Sequence, residues 1–186
     1  MKDIKYKDYY WQNDLLRLRA MRPEDWEEHY YNLFDSKARR LLQYELELPP
    51  TIKDAKAMTE KFAYFDPESG RLMFTIESLA GEVVGALNLC GIDEKNGTFG
   101  IGIQVGRDYR GQGYGTAAMR ILLNYAFNER RLNKFNVSVL EGNIASATMM
   151  KKLGCVQEGI RRETVFTNGK YMNEILFGLT REEFLG

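Results

Sequence analysis

Three glycines at alternate positions precede a segment with helical periodicity, and their spacing is the clearest sign of chemistry in the sequence. Gly111, Gly113 and Gly115 lie in the stretch RGQGYGT, which begins at Arg110. Glycines this dense weaken regular structure, because glycine loses the most backbone freedom on folding. A strand, a glycine-rich loop and a helix in that order form an anion site, since the free N–H groups and the dipole at a helix start favour a phosphate. We therefore predict that this loop binds a phosphate-containing ligand.

Two common nucleotide motifs do not fit the loop. A P-loop requires a lysine directly after its last glycine, and no lysine follows here. The dinucleotide fingerprint requires a third glycine where Thr116 stands, and it opens a parallel βαβ unit, whereas this loop follows a predicted antiparallel hairpin. ATP-type and NAD-type sites are therefore both disfavoured.

The helices and strands that position the loop are predicted from the spacing of apolar residues, which repeats with two different periods. A period of 3.6 residues predicts helices at 22–35, 51–65, 113–130 and 144–153, with Thr51 and Asn143 as N-caps. The buried face of the second helix is predicted to contain Ala55, Met58, Phe62 and Phe65. A period of two predicts strands at 15–20, 72–78, 82–90, 98–105, 134–140, 157–166 and 171–179. This order predicts a mixed α/β fold with a mostly antiparallel sheet flanked by helices, in a single domain covering 1–186.

The composition limits the functional classes. The 186 residues carry 26 Lys plus Arg and 26 Asp plus Glu, so the net charge is zero and a nucleic-acid partner is not expected. The polar start and the lack of a run of about 20 apolar residues predict neither a signal peptide nor a membrane span. Cys90 and Cys155 lack the spacing of a disulfide framework or metal site, and the single His29 is interpreted as a surface residue, so no metal is expected. We therefore expect a cytoplasmic protein.

Three segments together resemble the GNAT superfamily of N-acetyltransferases. The loop fits the pattern Gln/Arg-x-x-Gly-x-Gly/Ala, and the longer segment IGIQVGRDYRGQGYGTAAM is similar to the family's strand, acyl-CoA loop and helix. The segment EGNIASATMMKKLGCVQEG resembles the family's Asn-led helix, with Cys155 where a phenylalanine is usual. The ending TNGKYMNEILFGL resembles the terminal hairpin of the branch that includes ribosomal-protein-alanine and spermidine acetyltransferases. The resemblance covers about 15–184 and implies the acyl-CoA N-acyltransferase (GNAT) fold with acetyl-CoA as cofactor.

The resemblance also implies which residues hold acetyl-CoA. Backbone N–H groups at 111–116 would face the pyrophosphate, Arg110 would add positive charge, and pantetheine would pair with the strand at 103–105 like an extra β-strand. The Asn-led helix would face the far arm of the cofactor, and Asn143 serves there as a cofactor contact, as a plain N-cap or as both. The implied cofactor set is Ile103, Val105, Arg110, Gly111, Gln112, Gly113, Tyr114, Gly115, Thr116, Asn143, Ser146 and Met150.

The catalytic positions depart from the family pattern. The glutamate that related enzymes often carry on the strand before the loop falls on Gly100, and the tyrosine that often follows the leading asparagine by seven residues falls on Met150. Replacements for the base are Glu77 acting through water, Glu45 or Glu47. Replacements for the acid that protonates the thiolate are Tyr114, Tyr109, Tyr171 or water. The resemblance also implies that the strand before the loop carries a bulge and splays from its neighbour, which would free the N–H of Ile103, Gln104 or Val105 to polarise the thioester oxygen.

The expected acceptor is a primary amine that attacks acetyl-CoA directly in a ternary complex. At pH 7 an α-amino group with a pKa of about 7.7–8.0 is roughly a tenth neutral, whereas a lysine-like amine with a pKa of about 10.4 is neutral less than about one part in a thousand. We rank a peptide or protein N-terminus first, a small-molecule amine second and a polyamine third, because the glutamate of the spermidine enzymes falls on Asn88.

Two alternatives remain at the level of the sequence. Because the usual catalytic positions are Gly100 and Met150, a non-catalytic acyl-CoA-binding protein is the alternative of another class.

The aromatic stretch at 6–12 either packs against the sheet or forms the contact of a homodimer.

Overall fold

A computed structural model describes residues 4–64 and 71–186 and contains one seven-stranded sheet with the strand order β1-β2-β3-β4-β5-β7-β6. The strands are β1 Leu16–Ala20, β2 Arg71–Ser78, β3 Val83–Asp93, β4 Thr98–Val105, β5 Lys134–Leu140, β6 Val156–Thr167 and β7 Lys170–Thr180. Neighbouring strands pair antiparallel except β4 and β5, which are parallel. The predicted mixed, mostly antiparallel sheet is therefore confirmed.

Six α-helices flank the sheet in the described part of the chain. They are α1 Trp26–Leu33, α2 Ser36–Gln43, α3 Ile52–Ala63, α4 Tyr114–Asn124, α5 Ile144–Leu153 and α6 Arg181–Leu185, and α4 continues as a π-helical turn, Tyr125–Glu129. None of these helices is long and apolar enough to cross a membrane.

The two faces of the sheet differ in polarity because side chains alternate along each strand. On one face, residues such as Leu87, Phe99 and Phe135 are buried and form a single apolar cluster with Met119 and Leu122 of α4. On the opposite face, here called the cleft face, the intervening residues are polar or small: Arg19, Thr75, Glu77, Asn88, Gly100, Gly102, Gln104, Asn136 and Ser138. Side chains of α2 and of the residue that follows it contact this cleft face.

The helices α2 and α6 were not predicted from the sequence. Helix α2 begins at the N-cap Asp35, whose side chain accepts a hydrogen bond of 3.2 Å from the Ala38 N–H, but its segment SKARRLLQ has only eight residues. Helix α6 is short and begins with a capping box, in which Thr180 and Glu183 bond each other's backbone N–H groups.

Two details of the predicted helices were wrong. The hydroxyl of Thr51 caps α3 as expected, but the buried residues of α3 are Ala55 and Thr59, whereas Met58 is 41% exposed; Phe65 lies outside the described residues. His29 is not a surface residue, because its Nε2 atom is buried without a hydrogen-bond partner among the described residues. Burial lowers the pKa of His29, since it penalises the charged imidazolium.

The aromatic segment near the N-terminus packs against the sheet. The Trp11 ring centroid lies 5.0 Å from that of Phe74 and 4.7 Å from that of Tyr125. The Tyr9 hydroxyl donates a hydrogen bond of 3.5 Å to the carbonyl oxygen of Leu18. Of the two alternatives for this segment, the structure therefore shows packing on the protein's own sheet.

Candidate functional site

A gap opens inside the sheet between β4 and β5. These parallel strands pair only at Thr98↔Lys134 and Phe99↔Phe135. From residue 100 to 105, β4 pairs with β3 alone, while β5 pairs with β7 from end to end. The facing edges of β4 and β5 beyond Phe99 therefore have no partner strand in the described part of the chain, and we call the space between them the gap.

The predicted splay of β4 from its neighbour is present, but the predicted bulge in β4 is wrong. Between Gly85↔Val105 and Cys90↔Gly100 the residues of β3 and β4 pair one to one. The irregularity lies instead in β3, where two residues oppose Phe99 between the pairs Cys90↔Gly100 and Asp93↔Thr98. The gap follows from the divergence of β4 and β5 after Phe99, while β5 stays paired with β7 along its whole length.

The glycine loop leads from the end of β4 into α4. Gly111 and Gly113 have φ values of 76° and 91°, in the left-handed region that residues with a Cβ rarely adopt. Gly115 lies in the first turn of α4, where an added Cβ would lie 3.2 Å from Sδ of Met149 in α5. Two of the glycines therefore permit the turn, and the third permits close approach of α4 and α5.

Six consecutive backbone N–H groups at the start of α4 are available to a ligand. The N–H groups of residues 111–116 donate to no acceptor within the described residues, and the first bond of the helix runs from Ala117 N–H to Gly113 O at 3.0 Å. The partial positive charge of the helix dipole is located at the same end. This arrangement fits the pyrophosphate of a coenzyme.

Arg110 anchors the loop instead of projecting its charge freely. Its Nε donates a hydrogen bond of 2.9 Å to Val105 O, and its Nη1 lies 2.7 Å from Oδ2 of Asp35, the N-cap of α2. Burial alone would raise the pKa of Asp35, but hydrogen bonds from the Ala38 N–H and from Arg110 and Arg107 hold that pKa below its ordinary value. Asp35 thus joins α2 to the segment before α4 through a close ion pair with Arg110 and a longer one with Arg107.

We expect Arg110→Ala to weaken acetyl-CoA binding about tenfold, because one charge-assisted hydrogen bond stabilises the loop by about 1.5–3 kcal/mol. Asp35→Asn should cause a similar loss, and the double variant should lose little more than either single variant in calorimetric titrations. Arg107→Ala is the control, since its side chain is 71% exposed and reaches Asp35 only at 3.4 Å. Additive losses in the double variant would mean that Arg110 acts on the ligand and not through Asp35.

The other residues of the predicted cofactor set lie in two groups. Ile103 and Val105 are half-buried on β4, facing Gly115 of α4. Asn143 caps α5 with its Oδ1, which accepts a hydrogen bond of 3.2 Å from the Ser146 N–H. Gln112 is exposed, and its side chain donates to Asp108 O at 2.8 Å. The Tyr114 ring meets the ring of Tyr109 edge-on at 6.0 Å.

Met150 does not line the surface of this site. Its side chain is 2% exposed and its sulfur lies 4.0 Å from that of Cys155 in the apolar core. The neighbouring Met149, which the sequence analysis did not select, is the residue of α5 that faces Gly115. We therefore leave Met150 out of the residues proposed to contact the cofactor.

Glu77 is bound in a buried network on β2, two strands from β4. Its Oε1 lies 2.9 Å from Arg17 Nη1, and its Oε2 accepts from Arg19 Nε. Arg19 also binds both oxygens of Asp25, at 2.8 and 2.9 Å, and Thr75 donates to Asp25 at 2.8 Å. Because both carboxylate oxygens of Glu77 are held by arginines, we do not retain Glu77 as a catalytic base.

Gln104 is held by the helices above the cleft face. Its Oε1 accepts a hydrogen bond of 2.8 Å from Arg39 Nη1, and its Nε2 donates to Asn32 O at 3.3 Å. Arg39 in turn binds both carboxylate oxygens of Glu47 at 2.5 Å. Glu47 is therefore neutralised by an arginine, and the remaining alternative, Glu45, is exposed to solvent.

Tyr44 and Glu174 lie near the gap, and neither was selected from the sequence. Tyr44 follows α2 in a left-handed conformation, with φ of 66°, and its hydroxyl donates a hydrogen bond of 3.1 Å to Ser138 O on β5. Burial, followed by the charge of Glu174 and a hydrogen bond with it, raises the pKa of Tyr44 to about 12. Neither residue stands in a recognisable motif, because their proximity results from contacts between distant parts of the chain.

A gap between parallel strands, together with a helix start that offers six free N–H groups, is the arrangement that the resemblance implied for acyl-CoA binding. Residues 16–156 match the family model of the acetyltransferase (GNAT) domain, and the chain belongs to this family. It is an N-acetyltransferase whose cofactor is acetyl-CoA.

Relatives and solved structures agree with this assignment. The chain is 33% identical over 177 residues to the SPbeta prophage-derived uncharacterized N-acetyltransferase YokL of Bacillus subtilis, covering 94% of this chain and 95% of YokL. It is 30% identical over 106 residues to the putative ribosomal N-acetyltransferase YdaF of the same organism, covering 57% of this chain and 58% of YdaF. Its fold is similar to that of spermidine N-acetyltransferase from Vibrio cholerae, solved in complex with CoA and spermine, with a TM-score of 0.80, 19% identity and coverage of 94% of this chain and 100% of that structure.

Proposed function

We propose that this N-acetyltransferase acetylates the α-amino group of a peptide or protein, by direct transfer in a ternary complex. The observation that carries the proposal is that arginines neutralise two acidic side chains near the cleft face, Glu77 and Glu47. Glu77 is paired with Arg17 and Arg19, and Glu47 is paired with Arg39. A polyamine presents several ammonium groups that require several unpaired carboxylates, and these two carboxylates do not supply them.

The floor of the cleft face supports a neutral hydrogen-bonding acceptor site. Asn88 lies over Gly102, whose added Cβ would lie 2.9 Å from Asn88 Nδ2. The Oδ1 of Asn88 is buried and has no hydrogen-bond partner among the described residues. An unpaired buried oxygen costs free energy until an N–H group reaches it. An amide or amine N–H of a peptide suits this oxygen without requiring a formal negative charge.

The chain's own residues supply binding and positioning for the transfer. The N–H groups at 111–116 would hold the pyrophosphate of acetyl-CoA, and the unpaired edge of β4 would hold its pantetheine arm. When bound, acetyl-CoA supplies an activated acetyl thioester. An N–H of Ile103, Gln104 or Val105 is proposed to polarise the thioester oxygen from the same edge. Positioning of this kind lowers the barrier even where the usual base is replaced by Gly100.

An acceptor panel tests the proposal. We expect steady-state acetylation of a peptide with a free N-terminus, no acetylation of the same peptide with a blocked N-terminus, and weaker activity on spermidine and spermine. Preference for the polyamines would overturn the proposed acceptor class. Tight binding of acetyl-CoA without acetylation of any amine up to about pH 9, where α-amines are largely neutral, would instead support a non-catalytic binding protein.

A further inference from the structure

One carboxylate near the gap differs from the others near the cleft face. Glu174 on β7 is 8% exposed. Its side-chain contacts are the Thr164 hydroxyl, 3.1 Å from Oε2, Nη1 of Arg161, 3.7 Å from Oε2, and the Tyr44 hydroxyl. No arginine of the described residues donates a hydrogen bond to Glu174, whereas arginines donate to both oxygens of Glu77 and of Glu47. Glu174 is therefore a buried carboxylate that no arginine of the described residues holds by a hydrogen bond.

Its position is one strand from the gap, because β5 lies between β7 and the gap. Glu174 pairs with Leu140 at the end of β5, and Leu140 shares the cleft face with Ser138 because residues two apart point to the same side of a strand. The carbonyl oxygen of Asn136 lies toward β4, since it is 3.7 Å from the site of an added Cβ on Gly100. The carbonyl of Ser138 points the same way, so the Tyr44 hydroxyl that binds it lies at the open edge of β5.

The groups that face Glu174 come from three elements. They are Tyr44 after α2, Arg161 and Thr164 on β6, and the end of β5 at Leu140. Arg161 is the charged group among them, and its side chain is 59% exposed, so solvent weakens its effect on the carboxylate. The Tyr44 hydroxyl stays protonated through the pH range of an assay because its pKa is raised to about 12.

We infer that Glu174 accepts the proton of the acceptor ammonium group, with Tyr44 as the residue that positions it. In the step, the ammonium group gives one proton to Glu174, and the nitrogen forms a bond with the thioester carbonyl carbon as the C–S bond breaks. Sulfur keeps the electron pair of that bond and takes the second proton of the nitrogen, after which Glu174 releases its proton to water. The inference rests on the proposed acetylation of an α-amine.

The pH profile of Glu174→Gln tests the inference. The acceptor is roughly a tenth neutral at pH 7 and largely neutral above pH 9. We therefore expect kcat/KM of the variant to fall about tenfold at pH 7 and to approach the wild-type value near pH 9.5. Glu174→Asp, which keeps a carboxylate, should keep the shape of the wild-type profile at a lower rate. A loss in Glu174→Gln that is the same at every pH would mean a structural role and would overturn the inference.

A binding measurement gives a second readout that does not depend on turnover. Calorimetric titration of the peptide into the CoA complex at pH 7, in buffers of different ionisation enthalpy, counts the protons released. The wild type should release almost none, because the ammonium proton stays with the amine or Glu174, whereas Glu174→Gln should release close to one proton per peptide bound. Equal proton release would overturn the inference.

The exposed Glu163→Gln on the same hairpin is the matched control, and it should leave the pH profile, the proton count and acetyl-CoA affinity unchanged. Tyr44→Phe should lower kcat more than it raises KM, because Glu174 stays in place but loses the hydroxyl that positions it. Absence of amine acetylation in the wild type would reject the proposed function, while a wild-type pH profile in Glu174→Gln would reject this inference alone.

Discussion

Gly113→Val is expected to raise the dissociation constant for acetyl-CoA by at least about 100-fold. Gly113 has a φ of 91°, which a β-branched residue adopts only at a cost, so the loop would change conformation at this position. The N–H groups of residues 111–116 would then no longer converge on one anion. Hydrogen bonds to a charged group contribute about 1.5–3 kcal/mol each, and loss of two accounts for the expected change. Calorimetric titration with acetyl-CoA measures it.

Gly154→Val is a closely matched control for this prediction. Gly154 ends α5 with a φ of 93°, and its added Cβ would meet a leucine methyl at 3.7 Å, as that of Gly113 does. Both variants should therefore lose similar thermal stability through backbone strain, with near-normal far-UV circular dichroism. Gly154→Val should keep its affinity for acetyl-CoA. Equal weakening of binding in the two variants would show that the loop effect is general destabilisation.

Arg19→Ala is expected to lower the free energy of unfolding by about 3–5 kcal/mol. Arg19 is 9% exposed and joins two buried carboxylates, Asp25 and Glu77. Its removal leaves Asp25 without an arginine and Glu77 with only Arg17, and an uncompensated buried charge is costly. Urea unfolding at pH 7 measures the difference. Arg22→Ala is the control, since the Arg22 side chain is exposed. The hydrogen bond from Arg22 to Asp25 is donated by the backbone N–H, which the substitution keeps.

The same network predicts a pH dependence with a definite sign. Burial alone would raise the pKa of Asp25, but hydrogen bonds from Arg19, the Arg22 N–H and Thr75 hold it below the ordinary value. A carboxylate with a lowered folded-state pKa contributes stability above its unfolded pKa of about 3.9 and loses it as the pH falls through the folded value. The stability difference between wild type and Arg19→Ala should therefore shrink below about pH 4. A difference that stays constant down to about pH 2 would contradict the assigned role of Asp25.

The sequence predicted the strands and helix ends that depend only on neighbouring residues. Strand β4 at 98–105 and strand β5 at 134–140 have the predicted bounds, because strict alternation of apolar residues specifies both the period and the ends. Helix α5 has the predicted N-cap Asn143 and the predicted stop at Gly154, whose φ of 93° explains the glycine. The positive φ values of Gly111 and Gly113 explain the glycines of the loop in the same way.

The parts that could not be predicted depend on contacts between distant residues. Glu77 looked like a free carboxylate on a strand, but its partner Arg19 is 58 positions away and binds it only once β1 pairs with β2. Tyr44 donates a hydrogen bond to Ser138, which is 94 positions away in the sequence. Its left-handed conformation is rare for a tyrosine and is therefore not predictable from the residue type. Glu174 lies in an ordinary strand pattern. Tertiary contacts, rather than any local preference, therefore decide which carboxylates are free and which are neutralised.

The gap gives the sheet two internal edges in addition to its outer ones. Unpaired strand edges are templates for intruding chains, and proteins normally cover or charge them. Here the edges of β4 and β5 stand opposite each other, pinned together at Phe99 and Phe135, whose ring centroids are 5.7 Å apart. A ligand that pairs with the β4 edge thus completes the sheet as a missing strand would. With acetyl-CoA on the β4 edge as proposed, the empty protein is expected to be more prone to aggregate than the liganded one.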